Sequence, residues 1–329
     1  RGAAAAGDKL KRLRLELLGG GGAGRFFSVM RKIDARLEPG TFVETIRLVT
    51  PRFSKQRYTS TFFLLETDDE PEILPGELAD GGWWEPAAAI ERWQRGELLL
   101  APPVIVILRQ LERGIDTGTL ESLRSSPETF EESGLAIPWG PGIELLPFHC
   151  PPLPVTLPSS TFLAGTRRFV IIDPAPTGEK EQEHLLAAIE NRIGGGDRPE
   201  AIVLSHHHID HVGALDAVQK RWSLPCWGHR RTAELLKRSF DRELDEGDLI
   251  DLGDSPAGAA GWKLRCLFTP GHAEGHLAFF DERHRALLAG DLVSTLVSMY
   301  VGTPGGHLET YFRSLEKIRS LDIRLLYPS

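Results

Sequence analysis

Between positions 206 and 211 the chain reads His-His-His-Ile-Asp-His, four histidines and an aspartate in six residues, directly after the apolar run Ala201 to Leu204 and Ser205. So many imidazoles at close range cannot all carry a proton, because each positive charge lowers the pKa of its neighbours. Neutral imidazoles and a carboxylate are instead good ligands for zinc or a similar divalent ion. One histidine alone in such a place reads as structural, but this density at the end of a strand reads as a metal site and not as a solvated polar turn.

Two more apolar runs end in residues of the same kinds. Leu264 to Phe268 leads into Thr269-Pro270-Gly271-His272, with Gly275-His276 close behind, and Ala286 to Ala289 leads into Gly290-Asp291. In this order, His206-x-His208-x-Asp210-His211, the Thr-Pro-Gly-His turn and the Gly-Asp turn resemble the signature of the metallo-β-lactamase superfamily, over roughly residues 143 to 329. The resemblance implies an α/β protein with a four-layer αββα fold and a dinuclear metal site. Carried over by position, it implies that His206, His208 and His272 hold one metal, that Asp210 and His211 hold the second, and that Asp291 bridges them. Asp210 is also given a catalytic part. Two adjacent cations lower the pKa of a shared water, polarise the electrophile and steady the leaving oxygen. Zinc is expected, two ions per chain, with manganese or iron as alternatives.

The neighbouring residues are expected to support this set. His276 reads as a residue behind the ligands or a substrate contact, and Asp173, in Ile-Ile-Asp-Pro, as a group that orients a ligand by hydrogen bonding. His207 reads as a spacer turned away from the metals. His149, His184, His229 and His284 read as surface or core histidines, His307 does not fit the ligand pattern, and Cys226 and Cys266 read as packing residues on strands. The family's last histidine would follow a late strand; Leu325 to Tyr327 reads as that strand, and the sequence stops at Pro328-Ser329. Two readings stay open, truncation inside the motif, which is favoured, or an incomplete second site.

The elements that must carry these residues are legible in outline. Phe162 to Ala164 and Phe169 to Ile172 read as paired strands across Gly165-Thr166, Glu181 to Arg192 as an amphipathic helix, and Ala201 to Ser205 as a buried strand. This alternation favours an α/β layered core. Residues 116 to 142, rich in Pro, Gly and Ser, read as a linker entering the second domain along Gly142 to Leu146. Residues 1 to 115 form a front block: a helix at Leu10 to Leu18 cut off by Gly19 to Gly22, strands at Phe42 to Leu48 and Thr59 to Glu66, and helices at Glu85 to Gly96 and Leu98 to Leu111. Within it, Pro75 to Glu77, Trp83-Trp84 and Glu85-Pro86 resemble the latter half of a Nudix-type domain. The glutamate-rich helix that Nudix chemistry needs is missing, so the block is expected to be an incomplete, smaller α+β accessory domain.

A chain of 329 residues with 41% hydrophobic and 26% charged residues is an ordinary globular composition with room for two domains. The net charge of −8 argues against indiscriminate binding to nucleic acid. Arg221, Arg230, Arg231, Lys237 and Arg238 could still line a local basic groove, although a solvated helix face is the favoured reading. Three widely spaced cysteines do not make a disulfide framework. Without a run of ~20 apolar residues or a signal-like start, a cytoplasmic protein is expected. The expected activity is metal-dependent hydrolysis of an ester, thioester, amide or phosphodiester. The rivals are an endoribonuclease acting on single-stranded RNA and a scaffold whose metal site has lost activity; a redox role for a di-iron site ranks below both.

Overall fold

The computed structural model describes residues 9, 11–17, 22–34, 38, 40–51, 54, 56–68, 73, 81–129, 136–150, 158–294, 298–302 and 304–328. Two compact units emerge, Arg1–Ile46 with Thr61–Glu85, and Arg47–Ser60 with Pro86–Ser329.

In the front of the chain, residues 11–17 are helical, helix α1 spans Gly22–Lys32, and strands β1 (Val43–Val49) and β2 (Thr59–Leu64) form a two-stranded sheet. Leu10, Leu18 and the Pro75 to Glu77 turn lie outside the described residues. The glycine run expected only to break a helix also supplies Gly22, which opens α1. Glycine is tolerated at a helix start, where the backbone N–H groups have no intrahelical acceptor.

The boundary expected at residue 115 is not where the compact units divide. Helices α2 (Pro86–Gln94), α3 (Pro102–Leu111) and α4 (Thr117–Arg124) fall in the same unit as the lactamase-like portion. Proline at the start of α2 and of α3 costs nothing there, since its missing N–H would be unpaired anyway. Ile90, Trp93 and Ile105 form the core of this helical group. The buried Asp281–His284 pair fastens it: Nδ1 of His284 lies 2.6 Å from Asp281 Oδ2, and Nε2 meets the carbonyl of Gln94 at 3.1 Å. The expected linker, 116 to 142, contains α4, whose start Asp116 caps by accepting from the Thr119 N–H at 2.7 Å, and strand β3 (Ile137–Gly140). Its turn-like composition arises from a cap residue and from an edge strand that tolerates Pro138, because an edge has N–H positions outside the ladder.

Two sheets carry the rest. The seven-stranded sheet runs β3, β4 (Ile143–His149), β5 (Pro158–Gly165), β6 (Arg168–Ile172), β7 (Arg198–Leu204), β8 (Cys226–Gly228), β9 (Arg242–Glu243). The five-stranded sheet runs β10 (Leu249–Gly253), β11 (Trp262–Phe268), β12 (Leu277–Asp281), β13 (Ala286–Gly290), β14 (Leu325–Pro328). Side chains alternate across each strand. Ala201 and Val203 of β7 therefore point into a core shared with Leu264, Cys266, Phe279 and Leu288 of the other sheet. Ile202 and Leu204 face the opposite way, against Leu185 and Ile189 of α5 (Glu179–Gly194) and Val218 of α7 (Leu215–Trp222), with the one-turn helix α6 (Ile209–Val212) between β7 and α7. On the far side, Leu267, Ala278 and Leu287 pack against Ile318 of α9 (Leu308–Arg319), the helix that follows α8 (Arg230–Leu236) in chain order. Helix, sheet, sheet, helix is the four-layer αββα order. Burial on both faces explains why the strands read as unbroken apolar runs.

Candidate metal centre

Every proposed ligand follows a strand. His206 comes just after β7, and His208 is the residue before α6, which carries Asp210 and His211. His272 lies in the turn after β11, and Asp291 follows β13 directly. β7 belongs to one sheet and β11 and β13 to the other, so the site is assembled across the seam between the sheets. The structure brings together His206, His208, His272 and Asp291 in one group and Asp210, His211 and Asp291 in another, with the ligand atoms of each group within 4.8 Å of one another. Only Asp291 belongs to both.

The contacts are close. His208 Nδ1 lies 2.9 Å from His206 Nε2 and 2.9 Å from His272 Nε2. Asp291 Oδ2 is 3.1 Å from His272 Nε2, and its Oδ1 is 3.1 Å from His211 Nε2. His211 Nε2 also lies 3.6 Å from Asp210 Oδ2.

The outer hydrogen bonds fix which nitrogen of each ring is bare. His272 Nδ1 is 2.7 Å from the Tyr300 carbonyl, which can only accept, so Nδ1 carries the proton and Nε2 presents its lone pair inward. His211 Nδ1 is likewise turned to Asp173 Oδ2 at 2.9 Å. Ser205 Oγ donates to Asp173 Oδ2 at 2.6 Å, which leaves it accepting from His206 Nδ1 at 2.9 Å. Three rings are thus held with Nε2 aimed at the cluster. This is how a site for a divalent cation is normally supported. Two observations show that the residues fit such an ion. Three ring nitrogens converge with fewer protons than acceptors, and buried His211 Nε2 has no hydrogen-bond partner although Asp291 is near.

Asp173 and His276 both lie behind the cluster and hydrogen-bond to its members. Asp173 is 3% exposed and adopts φ of +51°, a left-handed conformation that aspartate tolerates better than most residues. Besides His211 and the Ser205 hydroxyl, it accepts the Ser205 N–H at 2.7 Å. His276 is fully buried; its Nδ1 meets Thr269 Oγ1 at 2.8 Å and its Nε2 accepts from the Asp291 N–H at 3.1 Å. With both nitrogens used, it holds the backbone of Asp291 and has no free edge for substrate. Gly290 passes this imidazole with φ of +50°, and a Cβ there would come within 2.8 Å of His276 Nε2. His207 stays out of both groups.

Several supporting residues were not singled out in the sequence. Ser159 Oγ donates to Asp210 Oδ2 at 2.8 Å, and Thr161 Oγ1 donates to the Asp173 carbonyl at 2.7 Å. The signal was a polar run, Ser159 to Thr161, in a strand whose remaining residues are apolar. Such a run inside a core must be satisfying something. His307 caps α9, accepting the Thr310 N–H. Cys226 and Cys266 are buried free thiols pushed by burial up to about 12, in keeping with packing roles.

Burial pushes His208 down to about 4 and His276 down to about 3, with neighbouring His272 adding to both shifts. Burial also acts on His211, but Asp291, Asp210 and Asp173 outweigh it and raise that ring well above the ordinary value. In the unfolded chain His208 and His276 take up protons below about pH 6.5, whereas in the folded chain they do not. Their contribution to stability is therefore complete above about pH 6.5 and is lost as pH falls toward 4 and 3. The loss reaches about 1.4 kcal/mol per pH unit for each histidine. His211 has the opposite sign, and its contribution stays constant below about pH 6.5. Chelator-treated protein is expected to melt several degrees lower at pH 5 than at pH 7, measured by circular dichroism; an unchanged melting temperature would contradict neutral, buried His208 and His276.

Comparison with known proteins agrees with this geometry. The profile of the metallo-beta-lactamase superfamily matches residues 153–329, more than half of the chain, and the chain belongs to that superfamily. It is a metallo-β-lactamase-fold hydrolase. It is 28% identical over 171 residues to the probable metallo-hydrolase YqgX of Bacillus subtilis, covering 49% of this chain and 78% of that protein. It is 31% identical over 157 residues to a hydroxyacylglutathione hydrolase from an Enterobacter species, covering 47% of this chain and 53% of the enzyme. Among solved structures, a beta-lactamase domain protein from Burkholderia ambifaria superposes with a TM-score of 0.51 at 20% identity, covering 60% of this chain and 69% of that one, and shares the fold. No helix among the described residues is long and apolar enough to cross a membrane.

Proposed function

We propose that the protein hydrolyses an acyl ester or thioester at a dinuclear zinc site, His206, His208 and His272 holding one ion, Asp210 and His211 the other, and Asp291 both. The observation that carries this reading is the double membership of Asp291 in two ligand groups. When bound, the ions would supply Lewis-acid chemistry, making water acidic enough to ionise near neutral pH and polarising the carbonyl. In the overall reaction the acyl–oxygen or acyl–sulfur bond breaks; water gives its OH to the acyl carbon and its remaining proton to the departing oxygen or sulfur. The residues of the chain hold the ligand rings in one tautomer, through Asp173, Ser205 and the Tyr300 carbonyl, and fix Asp291 through His276.

An acyl substrate is favoured over a phosphodiester by how the nearby cations are used. Arg231 donates to Glu274 at 2.6 Å and to Glu234 at 2.8 Å, Arg230 lies 3.9 Å from Glu234, and Arg221 and Arg238 pair with Glu190 and Asp216. Guanidinium groups already matched to carboxylates make a poor phosphate groove. The hydroxyacylglutathione hydrolases among the relatives also support acyl transfer to water. In this reading the Nudix-like front block is an accessory module in a cytoplasmic enzyme. The test is metal content per chain, together with turnover of a carboxylic ester, a thioester, a cephalosporin and a single-stranded RNA. Two metals and turnover of an ester or thioester are expected. Cleavage of RNA alone would establish the nuclease reading, and no turnover by metal-loaded protein would establish the scaffold reading.

A further inference from the structure

We infer that the substrate's acyl portion is an uncharged, apolar chain that lies on Ile209, Tyr300 and Leu308 at the mouth of the metal centre. The inference rests on the acyl-hydrolase reading and narrows its substrate class. Ile209 sits between two cluster residues, His208 and Asp210, yet is 56% exposed. Tyr300, whose carbonyl anchors the ring of His272, is 76% exposed. Leu308 is 56% exposed and follows His307, whose N–H donates at 2.7 Å to the carbonyl of Gly271, the residue before His272. Three large apolar side chains are thus presented to solvent by the backbone segments that hold the ligands. Exposed apolar side chains borne by segments that hold a group of convergent polar residues mark a place where a ligand can lose its water.

The charges beside the site point the same way. Residues 298–302, Ser-Met-Tyr-Val-Gly, offer no charge to a carboxylate or phosphate on the substrate. Arg231, a nearby cation that could hold an anionic group, already donates to Glu274 at 2.6 Å.

The test uses the zinc-loaded full chain and thioesters of N-acetylcysteamine, a neutral thiol, with acetyl, butyryl and hexanoyl groups, beside the same acyl groups on glutathione, which is anionic. The expected result is that kcat/KM rises about fourfold for each methylene buried, and that each neutral thioester is turned over at least as fast as its glutathione counterpart. Binding of the matched, non-hydrolysable S-alkyl thioethers, measured by calorimetry, is expected to tighten in parallel. Ile209→Ser and Tyr300→Ser are expected to flatten the dependence on chain length, with metal content measured in each. A flat series in the wild type, or a clear preference for the glutathione thioesters, would overturn the inference while leaving the acyl-hydrolase reading intact. Absence of turnover of every thioester and of a carboxylic ester by protein holding two metals would remove both.

Discussion

Asp291→Ala is expected to lower kcat/KM by about three orders of magnitude or more, a loss of about 4 kcal/mol in transition-state stabilisation, and to leave roughly one metal per chain. The size of the effect follows from position. Removing Asp291 leaves one group with three imidazoles, His206, His208 and His272, and reduces the other to Asp210 and His211. Three imidazoles still make a respectable zinc site, whereas one carboxylate and one imidazole do not. The second ion is therefore lost first, and with it the cooperation of two cations on one water. Fold and site can be separated by thermal melting. Ligands that bind only the folded protein raise its melting temperature, so added zinc should raise that of the wild type more than that of the variant. A variant that keeps two metals and wild-type turnover would show that Asp291 is a bystander.

Sequence alone revealed more of the ligands than of what holds them. A strand that is buried on both faces must be an uninterrupted apolar run, so the sites where β7, β11 and β13 end in histidine or aspartate stand out in the text of the chain. The resemblance of the motifs at those ends implied the six ligands, and the structure brings these residues into the two groups. Supporting residues follow no such rule. Ser159 reaches Asp210 across fifty-one positions, and Ser205, just after β7, and Thr161, in β5, converge on Asp173. Only the pairing of β5 with β6 and of β6 with β7 makes them neighbours. The region from 116 to 142 holds a helix and a strand that its composition did not reveal, for a different reason. Composition marks turns well, but Asp116 is a helix cap and Pro138 lies in an edge strand, so residues that commonly break structure here begin one element and border another. His276 had two readings in the sequence, and only its bond to the Asp291 N–H separates them.

Asp173 is where fold and chemistry are most closely joined, and two substitutions there are expected to separate them. Asp173→Ala removes the acceptor for the Ser205 N–H, the Ser205 hydroxyl and His211 Nδ1 at once, in a position 3% exposed. Leaving buried donors without partners, one of them on an imidazole that sits among carboxylates, is expected to cost about 3–5 kcal/mol of stability. Asp173→Asn keeps the volume, and asparagine also tolerates the left-handed backbone. Its single carbonyl oxygen can still accept from the Ser205 N–H, but its amide then faces the Ser205 hydroxyl and His211 Nδ1 as a donor. His211 can meet a donor at Nδ1 only by moving its proton to Nε2, the nitrogen that would bind the second metal. The asparagine variant should therefore fold with a melting temperature closer to that of the wild type than the alanine variant, while its affinity for the second zinc, measured by chelator competition, falls about 10- to 100-fold. Undiminished affinity for two metals in Asp173→Asn would mean that the His211 tautomer is set elsewhere. Equal destabilisation by both substitutions would mean that the carboxylate serves the fold alone.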